Sequence, residues 1–260
     1  MFSRLSSLLA QWKILLASLI ALALTIPLLP ALSTPSLSQS FAPNVANVST
    51  APNISRNWSG YTATGRSFTS VTGTWTVPHV VSNGHNAADA TWVGIGGIQS
   101  GDLIQSGTQD LIDRSGHETH SAFLEMLPNF AQPIPVTINS GDSITVSVTE
   151  RSTNQWQISF KDATNGQTYT TTALYLSSLS SAEWIEEAPS NGRRILPLAN
   201  FGTVDFSGGS TIENGNQDTI ARSNAQPVIM VNSSGQALAI PSSLGSDGAS
   251  FSITRSSAAK

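Results

Sequence analysis

The 260-residue chain contains no cysteine, and only 11% of its residues are charged. Without cysteine neither disulfides nor thiol chemistry is possible, so a secreted domain of this sequence must be held together by packing. With so few basic groups, little repulsion between positive charges remains once acid protonates the carboxylates. The composition therefore suits a protein that works in acid, although an ordinary Ser/Thr-rich exported surface explains it equally well.

Basic residues are also too few for a nucleic-acid-binding surface. The chain has 12 lysines and arginines against 16 aspartates and glutamates. Three of the basic residues, Arg4, Lys13 and Arg56, lie in the first 56 positions, so the remainder has 12 − 3 = 9 basic groups and a formal net charge of 9 − 16 = −7. Such a domain repels a phosphate backbone, and nucleic acid is not expected as a partner.

The chain begins with the pattern of a secretory signal. Arg4 and Lys13 precede the apolar run "ILLASLIALAL", which "TIPLLPALS" follows. A retained membrane anchor is the alternative, because the apolar run approaches the length of a spanning helix. Pro27 and Pro30 weaken that helix, and no basic stop-transfer cluster follows. We therefore predict a signal peptide over residues 1–33, secretion, and no membrane association after cleavage.

The rest of the chain divides into a short polar segment and one domain. Residues 34–56 are mainly Ser, Pro, Asn and Ala, a composition that cannot bury enough surface to fold alone. We interpret them as a short propeptide or flexible linker. Residues 57–260 fit a single domain that can bury a full core, and we expect it to be a monomer.

Helical periodicity is absent outside the signal segment, and strand patterns dominate. Short alternating runs such as "SVTGTWTVP" and "QPVIMV" are separated by Gly, Asn, Asp and Pro. In "DSITVSVTE", Ile144, Val146 and Val148 alternate with Ser and Thr, which is typical of a half-buried antiparallel strand. "KDATNGQT" predicts a hairpin turn at Asn165 and Gly166. These features together predict an all-β sandwich or barrel.

Familiar catalytic and metal motifs are missing. The histidines of "HETH", His117 and His120, would face opposite sides of a strand, and no Glu stands at the spacing of a zinc-binding helix. The chain has neither a G-x-S-x-G elbow nor a phosphate-binding glycine loop. We expect neither a metal nor a cofactor.

Polar side chains stand in two strand-like segments. "DLIQSG" contains Gln105, and alternation in "AEWIEE" places Glu183 and Glu187 on one face and Trp184 and Glu186 on the other. If the apolar side chains of both faces are packed, at least one of these glutamates lies in a cleft. The alternative is an edge strand whose exposed glutamates block aggregation.

Eight short segments then follow one another along the domain. They are "NWSGY" (57–61), "VTGTWTVP" (71–78), "TWVGIGG" (91–97), "LIQSG" (103–107), "FLEMLP" (123–128), "GDSITVSV" (141–148), "AEWIEEAP" (182–189) and "LANFGTVDF" (198–206). In this order they resemble the landmarks of the glutamic peptidases, also called eqolisins, over nearly the whole domain. The resemblance implies a β-sandwich of two curved antiparallel sheets and acid proteolysis of protein or peptide substrates by a Gln–Glu dyad.

The resemblance also implies roles for individual residues. The dyad Gln falls on Gln105, and the dyad Glu, the second glutamate of the "AEWIxE" pattern, falls on Glu187. The residues Trp58, Trp92 and Gly97 match positions that line the family's substrate cleft, and Glu125 is retained in the segment that forms the cleft floor. All four are predicted to bind substrate.

The chain departs from the fungal members of that family in several places. Where their pattern reads Gly-Ile-Asp-Gly, this chain has "GIGG", so Gly96 brings no carboxylate to the cleft. The aromatic-rich segment is reduced to "FLEMLP", which predicts a more aliphatic cleft floor. Glu186 occupies a position that is apolar in the fungal enzymes.

A Gln–Glu pair can in principle hydrolyse a peptide bond. An ionised Glu187 would take a proton from water and later return it to the leaving amine, while the Gln105 amide donates to the developing oxyanion. Because Gln105 is neutral and shares no proton, we expect Glu187 to keep an acidic pKa.

Two other functions remain open on the residues alone. Glu187 with Glu125 or Glu183 is compatible with a glycosidase pair, and tryptophans such as Trp58 and Trp92 are suited to stacking on sugars. A non-catalytic carbohydrate-binding module is the third possibility. Neither alternative gives Gln105 a necessary role.

Overall fold

The computed structural model describes residues 53–191 and 194–256, and each regular element within these ranges is a β-strand. The strands are β1 Asn53–Ser55, β2 Trp58–Thr64, β3 Phe68–Thr76, β4 Ala87–Gly96, β5 Leu103–Ile112, β6 Glu118–Met126, β7 Gln132–Ile134, β8 Ser143–Ser152, β9 Gln155–Asp162, β10 Thr168–Leu174, β11 Ser181–Glu187, β12 Thr203–Glu213, β13 Asn216–Thr219, β14 Gln226–Val231, β15 Ala237–Pro241 and β16 Phe251–Arg255. The described part of the chain has no helix that could span a membrane. The predicted signal peptide lies outside the described residues.

The strands form one long sheet that folds over on itself. The order is β10-β9-β8-β3-β12-β16-β15-β14-β2-β11-β4-β5-β6-β7, with β1 beside β14 and β13 beside β12. Each pairing is antiparallel except the one between β1 and β14. This architecture confirms the predicted all-β sandwich.

Two tryptophans connect the two layers of the sandwich. Trp75 of β3 donates its indole N–H to Thr108 Oγ1 of β5 at 2.9 Å, and Trp184 of β11 donates to the Thr72 carbonyl of β3 at 2.8 Å. A buried indole needs such a partner, and its ring fills a large volume of core. These bonds fix how β3 lies across β5 and β11.

The predicted pattern of β8 is also confirmed. Ile144, Val146 and Val148 are fully buried, and the residues between them are half-buried. The predicted hairpin joins β9 to β10, where Gly166 has a positive φ of 79°. Local alternation and turn chemistry were therefore sufficient to place this part of the sandwich.

Strand β11 lies in the middle of the sheet. It pairs with β2 on one side and β4 on the other, and all seven of its residues are buried. The interpretation of "AEWIEE" as an edge strand with exposed glutamates is therefore wrong. Both faces of this strand are covered, so its three glutamates lie inside the protein.

Strand β1 falls within the segment that the sequence assigns to a propeptide or linker. Its three residues pair in parallel with β14, and Ile54 lies opposite Ile229. The Asn57 carbonyl then accepts a 2.8 Å hydrogen bond from the Ala188 amide. The chain is thus already attached to the sandwich before the start of the domain predicted at residue 57.

Candidate active site

Strands β2, β11, β4, β5 and β6 present the predicted site residues on one face of the sheet. Glu187 lies opposite Trp58 on β2 and Ala90 on β4, while Gln105 lies between Gly94 and Glu125. In a sheet, directly opposed residues point to the same side, and so do residues two positions apart on one strand. The side chains of Glu187, Gln105 and Glu125 therefore face one cleft. The other face of these strands forms the core.

Glu187 lies at the end of β11 and receives two hydrogen bonds. Trp92 Nε1 donates to its Oε2 at 2.9 Å, and Asn57 Nδ2 donates to its Oε1 at 3.0 Å. Only 3% of the residue is exposed. Two donors aimed at its two oxygens favour the ionised carboxylate. The sequence interpretation missed Asn57, although it stands in the quoted "NWSGY" segment.

The expected acidic pKa of Glu187 is wrong. Burial, and then the nearby charge of Glu125, raise the pKa of Glu187 to about 8, while the hydrogen bond from Trp92 opposes both effects. The neutrality of Gln105 does not prevent this, because removal from water disfavours a carboxylate whatever its neighbour is.

Gln105 is held by Glu125. Its Nε2 donates to Glu125 Oε2 at 2.6 Å, and only 1% of Gln105 is exposed. A carboxylate accepts only N–H or O–H groups, so this bond fixes which end of the amide points towards Glu125. The second N–H of Nε2 remains for a ligand. Since Glu125 binds Gln105 and its charge acts on Glu187, the structure gathers all three around one cleft.

Aromatic and apolar side chains line the same face. Trp58 packs edge-on against Trp92, with ring centroids 5.0 Å apart and an interplanar angle of 79°. Gly97 has a φ of +99°, and a Cβ there would lie 3.3 Å from Cη2 of Trp58. A side chain at this position would therefore press on the cleft wall. Leu103, Phe123 and Ile185 complete the apolar floor.

Glu183 shares the face of Glu187 but lies four residues earlier on β11. It is fully buried and pairs with Gly94, the residue that also pairs with Gln105. Burial raises the pKa of Glu183 well above its ordinary value.

One histidine of "HETH" contacts a buried carboxyl group. His120 Nδ1 contacts Asp110 Oδ1 at 2.7 Å on the core side of the sheet. Within residues 53–191 and 194–256, no group of three or more His, Asp or Glu side chains is arranged to hold a metal ion.

All six predicted site residues thus lie on one cleft face, and their catalytic and binding roles remain predictions. The sequence interpretation missed a second set of polar residues, Asp89 and Asp110, which lie with Glu186 behind the cleft. A carboxylate in the middle of an otherwise apolar or small-residue strand was the available signal, as in "AADATWV".

Comparison with known proteins agrees with this geometry. The sequence profile described as the Peptidase A4 family matches residues 56–254. Aspergillopepsin-2 of Aspergillus niger is 30% identical over 196 residues, which cover 64% of this chain and 70% of that protein. Scytalidopepsin B of Scytalidium lignicola is 32% identical over 192 residues, which cover 69% of this chain and 72% of that protein.

Solved structures show the same fold. A crystal structure of scytalido-glutamic peptidase with a peptide-based transition state analogue has a TM-score of 0.66 and 26% identity, over 77% of this chain and 98% of that one. Aspergilloglutamic peptidase from Aspergillus niger has a TM-score of 0.59 and 25% identity, over 65% of this chain and 99% of that one. The resemblance found in the sequence is confirmed.

Proposed function

The chain belongs to the Peptidase A4 family, the glutamic endopeptidases, and we propose that it cleaves protein or peptide substrates in acid with Glu187 and Gln105 as its dyad. A carbohydrate-active or carbohydrate-binding function is not favoured, because the matched profile and both curated relatives are peptidases.

In the proposed reaction, ionised Glu187 takes a proton from a water molecule that attacks the scissile carbonyl carbon. The free N–H of Gln105 Nε2 donates to the carbonyl oxygen as it becomes negative. The C–N bond then breaks, and Glu187 returns the proton to the departing amine. The products are a carboxylic acid and an amine, and both residues return to their starting state.

The observation that carries the proposal is the complementary hydrogen bonding of the two residues. Glu187 receives N–H donors from Trp92 and Asn57, an arrangement suited to a carboxylate that must lose its proton. Gln105 uses one N–H on Glu125 and has a second to offer to an oxyanion. One residue is thus prepared to accept a proton and the other to donate a hydrogen bond.

The ionisation of Glu187 determines how kcat/KM changes with pH within the acid range. Because burial raises the pKa of Glu187 to about 8, its base form is a minority in acid, and kcat/KM should increase with pH while the fold holds. The donors on Glu187 limit this effect by stabilising the ionised form.

Peptide binding is supported by the relatives. Scytalido-glutamic peptidase has been crystallised with a peptide-based transition state analogue. In this chain we propose that Trp58, Trp92, Gly97 and Glu125 line the corresponding cleft. The apolar floor beneath them favours substrates with apolar side chains near the scissile bond.

Substitution of the dyad tests the proposal. Glu187→Gln should abolish turnover of an acid-denatured casein, because it keeps the shape and removes the proton acceptor. Gln105→Ala should lower kcat by roughly a hundred- to a thousandfold, since losing one oxyanion donor costs about 2.7–4 kcal/mol. Glu213→Gln and Gln157→Ala, which lie on other strands, are the matched controls. A folded and active Glu187→Gln enzyme would refute the dyad.

We further propose that the protein is secreted as a monomer after cleavage of its signal peptide. Secretion is supported by the basic and apolar pattern of residues 1–33. N-terminal sequencing of the secreted, active protein should begin between residues 33 and 57. Active protein that retains Met1 in a membrane fraction would contradict this.

A further inference from the structure

A group of three carboxylic acids lies directly behind the cleft, on the core face of the same strands. The group, here called the acid cluster, consists of Asp89 on β4, Asp110 on β5 and Glu186 on β11, and each is 0% exposed. Asp89 lies opposite Asp110, and Glu186 lies opposite Thr91, two residues beyond Asp89. The three side chains therefore meet on one side of three adjacent strands.

A hydrogen bond within the acid cluster requires a proton on one of its members. The carboxyl groups that neighbour the Asp89 carboxyl are those of Glu186 and Asp110. No amide or hydroxyl among the described residues donates to either oxygen of Asp89. Two ionised carboxylates cannot hydrogen bond to each other, so a hydrogen bond between any two of them needs a protonated acid. Thr91 Oγ1 supplies a separate donor to Glu186 Oε2 at 2.6 Å.

One path leads from the acid cluster to the surface. His120 Nδ1 lies 2.7 Å from Asp110 Oδ1, and His120 Nε2 lies 3.2 Å from Glu118 Oε2. Glu118 in turn contacts His79, whose side chain is 69% exposed. These contacts connect the buried acid cluster to the protein surface.

Little else in the surroundings offsets negative charge. Strands β3 and β8, which pack against β4, β5 and β11, carry buried apolar side chains, among them Trp75, Val146 and Val148. Neighbouring β2 supplies Ser59 opposite Glu186. Apart from His120, no basic side chain of the described residues forms an ion pair with the cluster.

Ionisation of the cluster is accordingly unfavourable in the folded protein. Burial and then the charges of Glu186 and Asp110 raise the pKa of Asp89 well above its ordinary value. Burial also raises the pKa of Glu186 to about 8 and raises that of Asp110, although His120 opposes the effect on Asp110. In the unfolded chain these acids ionise near their ordinary values.

The acid cluster is joined to the dyad through the backbone. Glu186 immediately precedes Glu187, and Asp89 precedes Ala90, the cross-strand neighbour of Glu187. Asp110 lies on β5, the strand that carries Gln105. Any movement that separates these three acids must therefore move the strands on which the dyad stands.

We propose that Asp89, Asp110 and Glu186 are positioning residues that hold β4, β5 and β11 together while Asp89 and Glu186 are protonated, and that they release these strands when Asp89 and Glu186 ionise. Stability from a raised pKa is complete below the unfolded value and is lost as pH rises towards the folded value. The cleft is therefore assembled in acid and loosened above neutrality. This inference does not depend on the catalytic roles of Gln105 and Glu187.

Equilibrium unfolding of the mature protein, followed by circular dichroism in urea at a series of pH values, tests the proposal. Each acid that is protonated when folded and ionised when unfolded makes the unfolding constant rise tenfold per pH unit. The glutamine of Glu186→Gln keeps the shape of the side chain but cannot ionise. Between about pH 5 and 7, the factor by which the unfolding constant rises per pH unit should therefore be about ten times smaller in this variant than in the wild type. Asp89→Asn provides the same test if Glu186→Gln does not fold.

The exposed carboxyl of Asp205, on β12, provides the control for the unfolding experiment. The unfolding constant of Asp205→Asn should change with pH as steeply as that of the wild type.

A second experiment incubates each protein at neutral pH and then assays it in acid. The readout is the fraction of its own initial activity that each protein retains. Glu186→Gln or Asp89→Asn should retain a larger fraction than the wild type. Wild-type slopes and wild-type inactivation in both cluster variants would overturn the proposal.

Discussion

Replacing Glu125 by glutamine should make the enzyme more active in acid. Glu125 accepts a 2.6 Å hydrogen bond from Gln105, and its negative charge is the second cause of the raised pKa of Glu187. Glutamine keeps an oxygen that can accept the Gln105 N–H but carries no charge. The substitution therefore separates the electrostatic effect of Glu125 from its support of Gln105.

The size of the effect follows from the pKa of Glu187. Its rise from the ordinary value of a glutamate to about 8 disfavours ionisation by about 5 kcal/mol. Burial is the larger cause and is unchanged in the variant. Removing one nearby like charge should lower the pKa by about one unit, or about 1.4 kcal/mol. Below that pKa, the ionised fraction of Glu187 then increases about tenfold.

The assay is kcat/KM for one fluorogenic peptide from strongly acidic to neutral pH, because this ratio reports the pKa values of the free enzyme. The acid limb of the Glu125→Gln profile should move about one unit towards lower pH. Glu125→Ala is the companion variant, which also loses the acceptor for Gln105 and should lower kcat. An acid limb that stays in place, or moves to higher pH, would refute either the base role of Glu187 or the effect of Glu125 on it.

Three further outcomes are expected. Trp92→Phe removes the N–H that donates to Glu187 Oε2 at 2.9 Å, so the pKa of Glu187 should rise. The acid limb of the kcat/KM profile should then move to higher pH, and an unmoved limb would contradict this prediction. Gly107→Ala would place a Cβ 2.1 Å from the Thr91 carbonyl oxygen. The free energy of unfolding in urea should therefore fall by about 1–3 kcal/mol, or the variant should not fold, and wild-type stability would be inconsistent with this packing. Activity should survive EDTA, and loss that one divalent ion restores would show a metal requirement.

Local pattern was enough to predict much of the sandwich. The alternation of Ile144, Val146 and Val148 predicts a strand with one buried face, and these three residues are indeed buried. The same alternation predicts that the adjacent residues Glu186 and Glu187 point to opposite faces of their strand, and the structure places them on opposite faces of β11. Such features depend on residues a few positions apart, so they can be inferred before any long-range contact is known.

Other features depended on which strands become neighbours. Asn57 reaches Glu187 across 130 residues of sequence, and Asp89 meets Asp110 only because β4 pairs with β5 in one particular register. The position of β11 between β2 and β4 buries both of its faces, which no pattern within "AEWIEE" revealed.

The sequence by itself therefore determined the strands, the family and the polar residue types that reach the cleft. Tertiary structure alone decided how readily those residues ionise. A pKa depends on how much water surrounds a carboxyl and on which charges lie within a few ångströms. Both are set by the pairing and packing of strands that are distant in the chain, and this is why burial and Glu125 raise the pKa of Glu187 to about 8 where the sequence led us to expect an acidic value.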